Sequence, residues 1–278
     1  MSPTWDSDDP IVDPPITGMG WLLVLLRGIP LGIVVFGGLA LMLMLRVFER
    51  PIFGVDRPLT PYLTQAVCRT GFVILRLPLS VRGPRLKVPG AVVANHGSWL
   101  DIFALNARKN VYFVSKSEVS AWPGIGWLAR ATGTVFIQRD PREVKEQIAL
   151  FEERLRHGHR LLFFPEGTST DTLRVLAFKP TLFAPFFSEG LVHDMSVQPV
   201  TVIYHPPEGA DARFYGWWGD MSFAGHLVKV LAQRRQGKIE LVYHPPVRVD
   251  DFPNRKSLAR YLEDQVRSAH PGGTAGPD

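Results

Sequence analysis

The spacing of apolar residues divides the chain in two. Residues 20–45 are apolar apart from Arg27, and residues 28–45 carry no charge. A bilayer-spanning helix needs ~20 apolar residues, so this run predicts an N-terminal hydrophobic, membrane-anchoring helical segment. Pro30 should kink it, and Arg27, close to one end, should snorkel toward the headgroups. Residues 62–79 are apolar on much of their surface but include Arg69 and Arg76, which predicts an amphipathic helix lying on or dipping into the same leaflet. Asp6, Asp8, Asp9 and Asp13 precede the apolar run, and Arg46, Arg50 and Arg57 follow it. For a spanning helix, the positive-inside rule then leaves the rest of the chain in the cytoplasm and the acidic arm outside. A two-helix monotopic anchor, in which neither helix crosses fully, is the other arrangement the pattern allows.

Beyond residue 80 the pattern changes to short apolar runs alternating with stretches of helical period. Residues 91–94, 111–114, 135–137, 161–164, 197–204 and 239–243 read as strands. Helices are expected just after residue 98 and over 121–131, 143–157, 223–233 and 257–268; in 143–157, Val144, Ile148, Phe151 and Leu155 share one face. Strands alternating with helices in this way make an α/β fold, a largely parallel sheet flanked by helices. The expected organisation is a disordered acidic arm at 1–18, membrane-anchoring helices at 19–79, an α/β catalytic domain at 80–269 and a flexible tail at 270–278.

The run over residues 91–94 stops abruptly at Asn95-His96-Gly97, and the helix expected next has Ser98 as N-cap with Asp101 three residues on. His96 then stands at the carboxyl end of a strand and Asp101 in the first turn of the following helix, where open α/β sheets hold their ligands. Imidazole takes a proton near pH ~6.5, and a carboxylate on one ring nitrogen fixes the tautomer that leaves the other nitrogen as acceptor. The pair has the makings of a general base and its orienting partner. A histidine and an aspartate five apart more often do no more than cap a helix. A second apolar run changes that weighing, because Leu161-Leu162-Phe163-Phe164 leads into Pro165-Glu166-Gly167-Thr168, a loop with a carboxylate, a glycine and a hydroxyl.

Together, Asn95-His96 with Asp101 and Phe164-Pro165-Glu166-Gly167-Thr168 resemble the glycerolipid acyltransferase family, whose best-known members acylate lysophosphatidic acid. Two further blocks stand in family order: Lys116, Pro123, Gly126, Gly133 and Phe136-Ile137-Gln138-Arg139 between them, and Val197-Gln198-Pro199-Val200 after them. Four ordered blocks over residues 78–205 are far more specific than any one of them. The resemblance implies that His96, held by Asp101, deprotonates an acceptor hydroxyl as it attacks an acyl thioester, with backbone donors near Gly97 or Gly167 holding the oxyanion. It makes Asn95, Ser98, Lys116, Arg139, Glu166, Gly167, Thr168 and Lys179 candidates for substrate binding. A planar guanidinium at Arg139 suits an anionic headgroup. Lys116 and Lys179 would hold the phosphopantetheine carrier or the headgroup, unless they are plain solvent-facing lysines. Glu166 would bind the acceptor or orient its loop, and Gly167 would let backbone N–H groups approach a ligand. No resident cofactor is implied. The co-substrate would be acyl-ACP (acyl carrier protein) or acyl-CoA, the acceptor a lyso-lipid, and the setting the bilayer of the bacterial inner membrane, with the catalytic domain on the cytoplasmic side.

The chain departs from the lysophosphatidic acid pattern after Glu-Gly-Thr, where Ser169-Thr170-Asp171 replaces the usual arginine. Loss of a bidentate phosphate donor weakens the case for a phosphate-monoester acceptor. Residues 164–171 with Arg174-Val175-Leu176, Phe178-Lys179 and Trp217-Trp218-Gly219-Asp220-Met221 look more like the bacterial lyso-ornithine-lipid acyltransferase branch. Its acceptor carries a free hydroxyl on an amide-linked 3-hydroxy fatty acid and an amino-acid head. Asp171 or Asp220 would meet the ammonium of that head, the plainer role of each being a surface turn. Trp217 and Trp218 are candidate interfacial anchors or, equally, packing under the sheet. The alternative function is a 1-acyl-sn-glycerol-3-phosphate acyltransferase. More remote are a serine lipid hydrolase using Ser98, which lacks a Gly-x-Ser-x-Gly elbow, and an inactive membrane scaffold.

Composition adds three constraints. A formal charge of +5 suits an acidic partner, and with no zinc-finger spacing, recognition-helix signature or aromatic RNA-binding motif, the expected partner is an anionic membrane and no nucleic acid. Cys68 is the sole cysteine, which rules out an internal disulfide and a cysteine-based metal cluster. No His-Glu-x-x-His or comparable ligand set occurs, so no metal is expected.

Overall fold

The computed structural model describes residues 5–7, 9, 11, 13–84, 90–137 and 144–273. Two short strands that are not apolar runs, β1 (Leu79–Arg82) and β8 (Val247–Arg248), join the six that the apolar runs form: β2 (Gly90–Ala94), β3 (Tyr112–Lys116), β4 (Val135–Ile137), β5 (Arg160–Phe163), β6 (Ser196–His205) and β7 (Lys238–Tyr243). They join one sheet in the order β1-β7-β6-β2-β5-β3-β4, with β8 paired to β6. β2 is parallel to both of its neighbours, Val92 lying level with Leu162 on β5 and with Gln198 on β6. The antiparallel pairs are β6 with β7 and β6 with β8. This is the α/β fold expected from the alternation, with a largely parallel sheet flanked by helices.

Every residue of β2 is buried, which is why its sequence reads as a continuous apolar run. Its side chains still alternate between two cores. Val92 and Ala94 join the core built with helices α2 (Thr60–Leu75), α3 (Leu100–Arg108) and α6 (Phe223–Ala232). Ala91 and Val93 join the other, built with α5 (Val144–Arg156), a 3-10 segment Pro180–Phe187 and α7 (Arg255–Ala269). The region expected as a helix at 121–131 is instead a 3-10 turn, Ser117–Ala121, followed by α4 (Ile125–Thr132). Residues 122–124 break it because Pro123 has no N–H to give and Gly124 adopts φ +71°, outside the helical well.

α1 spans Gly18–Phe53, longer than the charge-free run, and Pro30 does not interrupt it. At ~1.5 Å per residue it is about 54 Å long, well beyond the ~30 Å of a hydrocarbon core. One face is apolar and open: Trp21, Leu25, Ile29, Ile33, Phe36, Met44, Val47, Phe48 and Ile52 are all exposed, and the helix is a candidate membrane anchor. The other face lies on the α/β domain. Arg27 does not snorkel outward. It is buried and donates through Nη1 to the carbonyls of Leu231 (2.9 Å) and Gln233 (2.6 Å), capping the end of α6. At the far end, Glu49 accepts the backbone N–H groups of Leu59 and Thr60 and the Thr60 hydroxyl, so α1 caps the start of α2.

The acidic arm before α1 also differs from expectation. Its described residues lie against the α/β domain: Trp5 packs edge-on to Trp218, Arg213 pairs with Asp9 at 3.2 Å, and Lys229 pairs with Asp13 at 2.8 Å. The described residues of the arm and the α/β domain therefore lie together beside the amino end of α1.

Candidate active site

The site forms where β2 runs out. Asn95 bridges to β6 with both ends of its amide, Nδ2 donating to the Val202 carbonyl (2.9 Å) and Oδ1 accepting the Val202 N–H (2.8 Å). This continues the β2–β6 connection by one step and fixes the backbone from which His96 projects. Gly97 has no room for a side chain, because a Cβ there would come within 2.6 Å of Thr172 Cγ2.

His96 Nδ1 lies 2.7 Å from Asp101 Oδ2 in the first turn of α3. The same oxygen accepts the backbone N–H groups of Gly97 and Ser98, both at 3.0 Å, and the buried Tyr204 hydroxyl donates to the other oxygen, Oδ1. Asp101 is fully buried, whereas 19% of the His96 side chain is exposed. With Nδ1 committed to the carboxylate, chemistry assigns the proton there and leaves Nε2 as the basic nitrogen. The ring also stacks face to face on Phe164, with centroids 4.0 Å apart and planes 10° from parallel, which removes its freedom to tilt. Burial, with Asp101 beside it, raises the Tyr204 phenol well above its ordinary range, so Tyr204 acts as a hydrogen-bond donor.

Glu166 locks the second loop to the first. Its Oε1 accepts the His96 N–H and its Oε2 the Leu176 N–H, each at 2.6 Å, and the His96 carbonyl accepts the Thr170 N–H at 2.9 Å. Burial pushes the Glu166 carboxyl up to about 8 against the lowering effect of those two N–H donors. Of the two roles considered for it, the geometry fits loop orientation. With 1% of its surface exposed it does not reach an acceptor.

The other candidate residues fall on both sides of the line. Asn95 and Ser98 are buried, the latter completely, and the Asn95 amide is spent on the Val202 backbone. Ser98 is also a weak cap: its hydroxyl lies 3.4 Å from Leu100 N, and Asp101 does most of the capping through its reach back to Ser98 N. A nucleophilic role for Ser98 fails on the same burial. Lys116 ends β3, half-buried; Thr168 and Lys179 are half-buried in and after the glutamate loop. Thr168 Oγ1 accepts the Trp5 N–H of the arm at 3.3 Å. The proposed oxyanion donors are already engaged, Gly97 N with Asp101 and Gly167 N with the Phe164 carbonyl at 3.1 Å. Arg139 lies outside the described residues. Asp171 is buried and tied to Leu173 N and Arg174, so it is closed to an ammonium head, while Asp220 is exposed in a turn. Trp218 packs inside, and Trp217 is half-buried against Trp122 and Phe223.

Sequence reasoning missed Tyr204 and the stacking of Phe164. Tyr204 reaches Asp101 only because Ala94 pairs with Val200 across β2 and β6, a register that no local pattern announces.

A partly exposed imidazole oriented by a buried carboxylate at the carboxyl edge of an α/β sheet is an arrangement suited to taking a proton from a hydroxyl. Residues 79–203 match the family model described as Acyltransferase. The chain is 59% identical to a lyso-ornithine lipid O-acyltransferase of Rhodobacter capsulatus over 96% of both chains. It is 37% identical to one of Pseudomonas aeruginosa over 93% of this chain and 97% of that one. The chain therefore belongs to the acyltransferase family. The fold is shared with the crystal structure of the 1-acyl-sn-glycerophosphate acyltransferase PlsC of Thermotoga maritima, at a TM-score of 0.63 and 24% identity over 93% of this chain and 98% of that one.

Proposed function

We propose that this acyltransferase moves a fatty acyl group from acyl-ACP or acyl-CoA to the free hydroxyl of lyso-ornithine lipid or a closely related lyso-aminolipid. The observation that carries the reading is end-to-end likeness to a lyso-ornithine lipid O-acyltransferase at 59% identity, with the His96–Asp101 pair in place at 2.7 Å. Ser169 in place of a phosphate-binding arginine favours the same acceptor over lysophosphatidic acid.

In the proposed reaction the acceptor hydroxyl sits against His96 Nε2. The imidazole takes its proton as the oxygen attacks the thioester carbonyl, and Asp101 stabilises the imidazolium through Nδ1–H. The tetrahedral intermediate then collapses, the carbon–sulfur bond breaks, and the thiolate leaves with the proton that His96 returns. An ester and a thiol result, with no covalent acyl-enzyme. α1 and α2 would hold the mouth of the site at one leaflet of the bacterial inner membrane, cytoplasmic side, where lyso-lipid and thioester meet. Lys116 and Lys179 are the cations we assign to the thioester carrier or the headgroup.

The test is expression in a strain lacking ornithine lipids, supplied with the lyso form, with lipid extracts read by mass spectrometry beside complementation of a phosphatidate-deficient mutant. Ornithine lipid should appear, the phosphatidate mutant should stay unrescued, and His96→Ala should cut turnover by ~10²–10⁴ with the fold retained. Rescue of the phosphatidate mutant without ornithine lipid would assign the acceptor to lysophosphatidic acid.

A further inference from the structure

A pocket of about 370 Å³ lies at the seam between the anchor helices and the α/β domain, between the loop after α1, the start of β3 and the turn from α5 into β5. It opens at the amino ends of β3 and β5, whereas Glu166 follows the carboxyl end of β5 and His96 that of β2. Pocket and active site are therefore at opposite ends of the same parallel strands.

Two arginines line the pocket, Arg57 and Arg160, together with His157, His159 and one acid, Asp56. Asp56 is already paired with His157 Nδ1 at 2.7 Å. Arg57 donates to the Ala131 carbonyl at 2.7 Å, and the neighbouring Arg154 donates to the Gly133 carbonyl at 2.8 Å while lying 4.6 Å over the Tyr112 ring. Among the described residues, both guanidinium groups are thus held at the end of α4 by carbonyls rather than by carboxylates. The crowding registers on Arg57, brought down to about 10 by burial and by Arg46 and Arg154 nearby.

An independent observation points to a ligand. His159 is 5% exposed and stacks on Tyr112 at 4.2 Å, yet neither ring nitrogen has a hydrogen-bond partner among the described residues. A buried N–H without an acceptor carries a desolvation cost that a ligand oxygen would remove. The rim shows where such an oxygen comes from. Phe53 and Tyr62, both exposed, line the mouth and continue into the open apolar face formed by Phe48, Ile52 and Leu59. Aromatic residues at the edge of an apolar face mark the headgroup level of a bilayer.

We propose that this pocket binds the phosphate group of an anionic membrane lipid, with Arg57 and Arg160 supplying the positive charge, His159 donating its ring N–H, and the acyl chains lying along the exposed face of α1. A guanidinium pair matches phosphate oxygens in geometry and charge, and the apolar rim selects a lipid over free phosphate. The site would seat the enzyme at anionic patches independently of which acceptor it acylates.

The test titrates the full chain, in neutral detergent, with short-chain phosphatidylglycerol, phosphatidylcholine of the same chain length and inorganic phosphate, reading the shift in thermal unfolding midpoint. Phosphatidylglycerol should raise the midpoint saturably. His159→Phe keeps the stacked ring but removes its nitrogens, and it should weaken that binding at least tenfold, as should Arg160→Gln. Acyl transfer measured without phosphatidylglycerol should be unchanged in both. An equal response to phosphatidylcholine, equal binding of inorganic phosphate, or wild-type affinity in both variants would each overturn the proposal. Because the readout is binding, it fails or stands apart from the acyl-transfer reading.

Discussion

Asp101 accepts hydrogen bonds from His96, from Gly97 and Ser98, and from Tyr204, and the two kinds of partner separate its roles. The backbone donors make it the cap that starts α3; in the proposed reaction the imidazole makes it the orienting acid of the base. Asp101→Asn keeps the shape and, with its carbonyl toward His96, most of the hydrogen bonds, but it loses the charge that stabilises an imidazolium. The expected result is a folded protein with turnover down ~10²–10⁴. Tyr204→Phe leaves the charge but strands the buried Oδ1, so it should cost about 1–3 kcal/mol of stability with a much smaller loss of turnover. Unfolding and single-turnover measurements on the pair check this, and equal turnover losses would merge the two roles. His96, Asp101 and Glu166 were legible because each follows an apolar run at a sharp polar break. Ser98 and Asn95 stand in the same break and read alike, but both are buried, which no local pattern reports.

At the scale of elements, the sequence described α1 by its hydropathy and misread its one central charge. Arg27 looked like a residue to be carried to the headgroups because its partners are more than 200 positions away at the end of α6. Pro30 lies inside α1 without ending it, on a helix that packs along α2 and α6. The strand positions fared better, since a run bounded by glycine, proline or a polar break is a local property; the antiparallel direction of β6 against β7 was not readable, because both runs look the same in either sense. Removing the Arg27 guanidinium therefore tests the docking of the anchor. Arg27→Met preserves the apolar stem and leaves the Leu231 and Gln233 carbonyls uncapped, an expected loss of about 1–3 kcal/mol. Hydrogen exchange of the full chain in detergent should speed up over residues 231–236, with the strands of the sheet unaffected; unchanged exchange there would show that α1 docks by apolar packing alone.

For the whole molecule, the buried titratable groups set a pH range. Burial lowers His159 to about 3 and His226 to about 4, with neighbouring cations adding to the effect, and it also lowers His244 and His270. Each such histidine binds its proton more weakly folded than unfolded, so the stability it contributes is complete above ~6.5 and is lost as pH falls toward the folded value. Glu166 has the opposite sign. Held up at about 8, it contributes stability that is complete below the usual carboxylate range and is lost as pH rises to about 8. Between 8 and 6.5 Glu166 makes the protein more stable on acidification. Below 6.5 the histidines outweigh it, each fully shifted one removing about 1.4 kcal/mol per pH unit. Thermal unfolding of the detergent-solubilised chain should therefore peak near pH 6.5 and fall on both sides. In His226→Gln, which loses a group that costs about 2 kcal/mol at pH 5, the acid limb should flatten while the alkaline limb stays as it is. An unfolding midpoint that keeps rising from pH 6.5 to 5 would mean that the His226 imidazole is reached by water in the folded protein, and with it the sealed α6 seam on which the placement of the anchor depends would have to be abandoned.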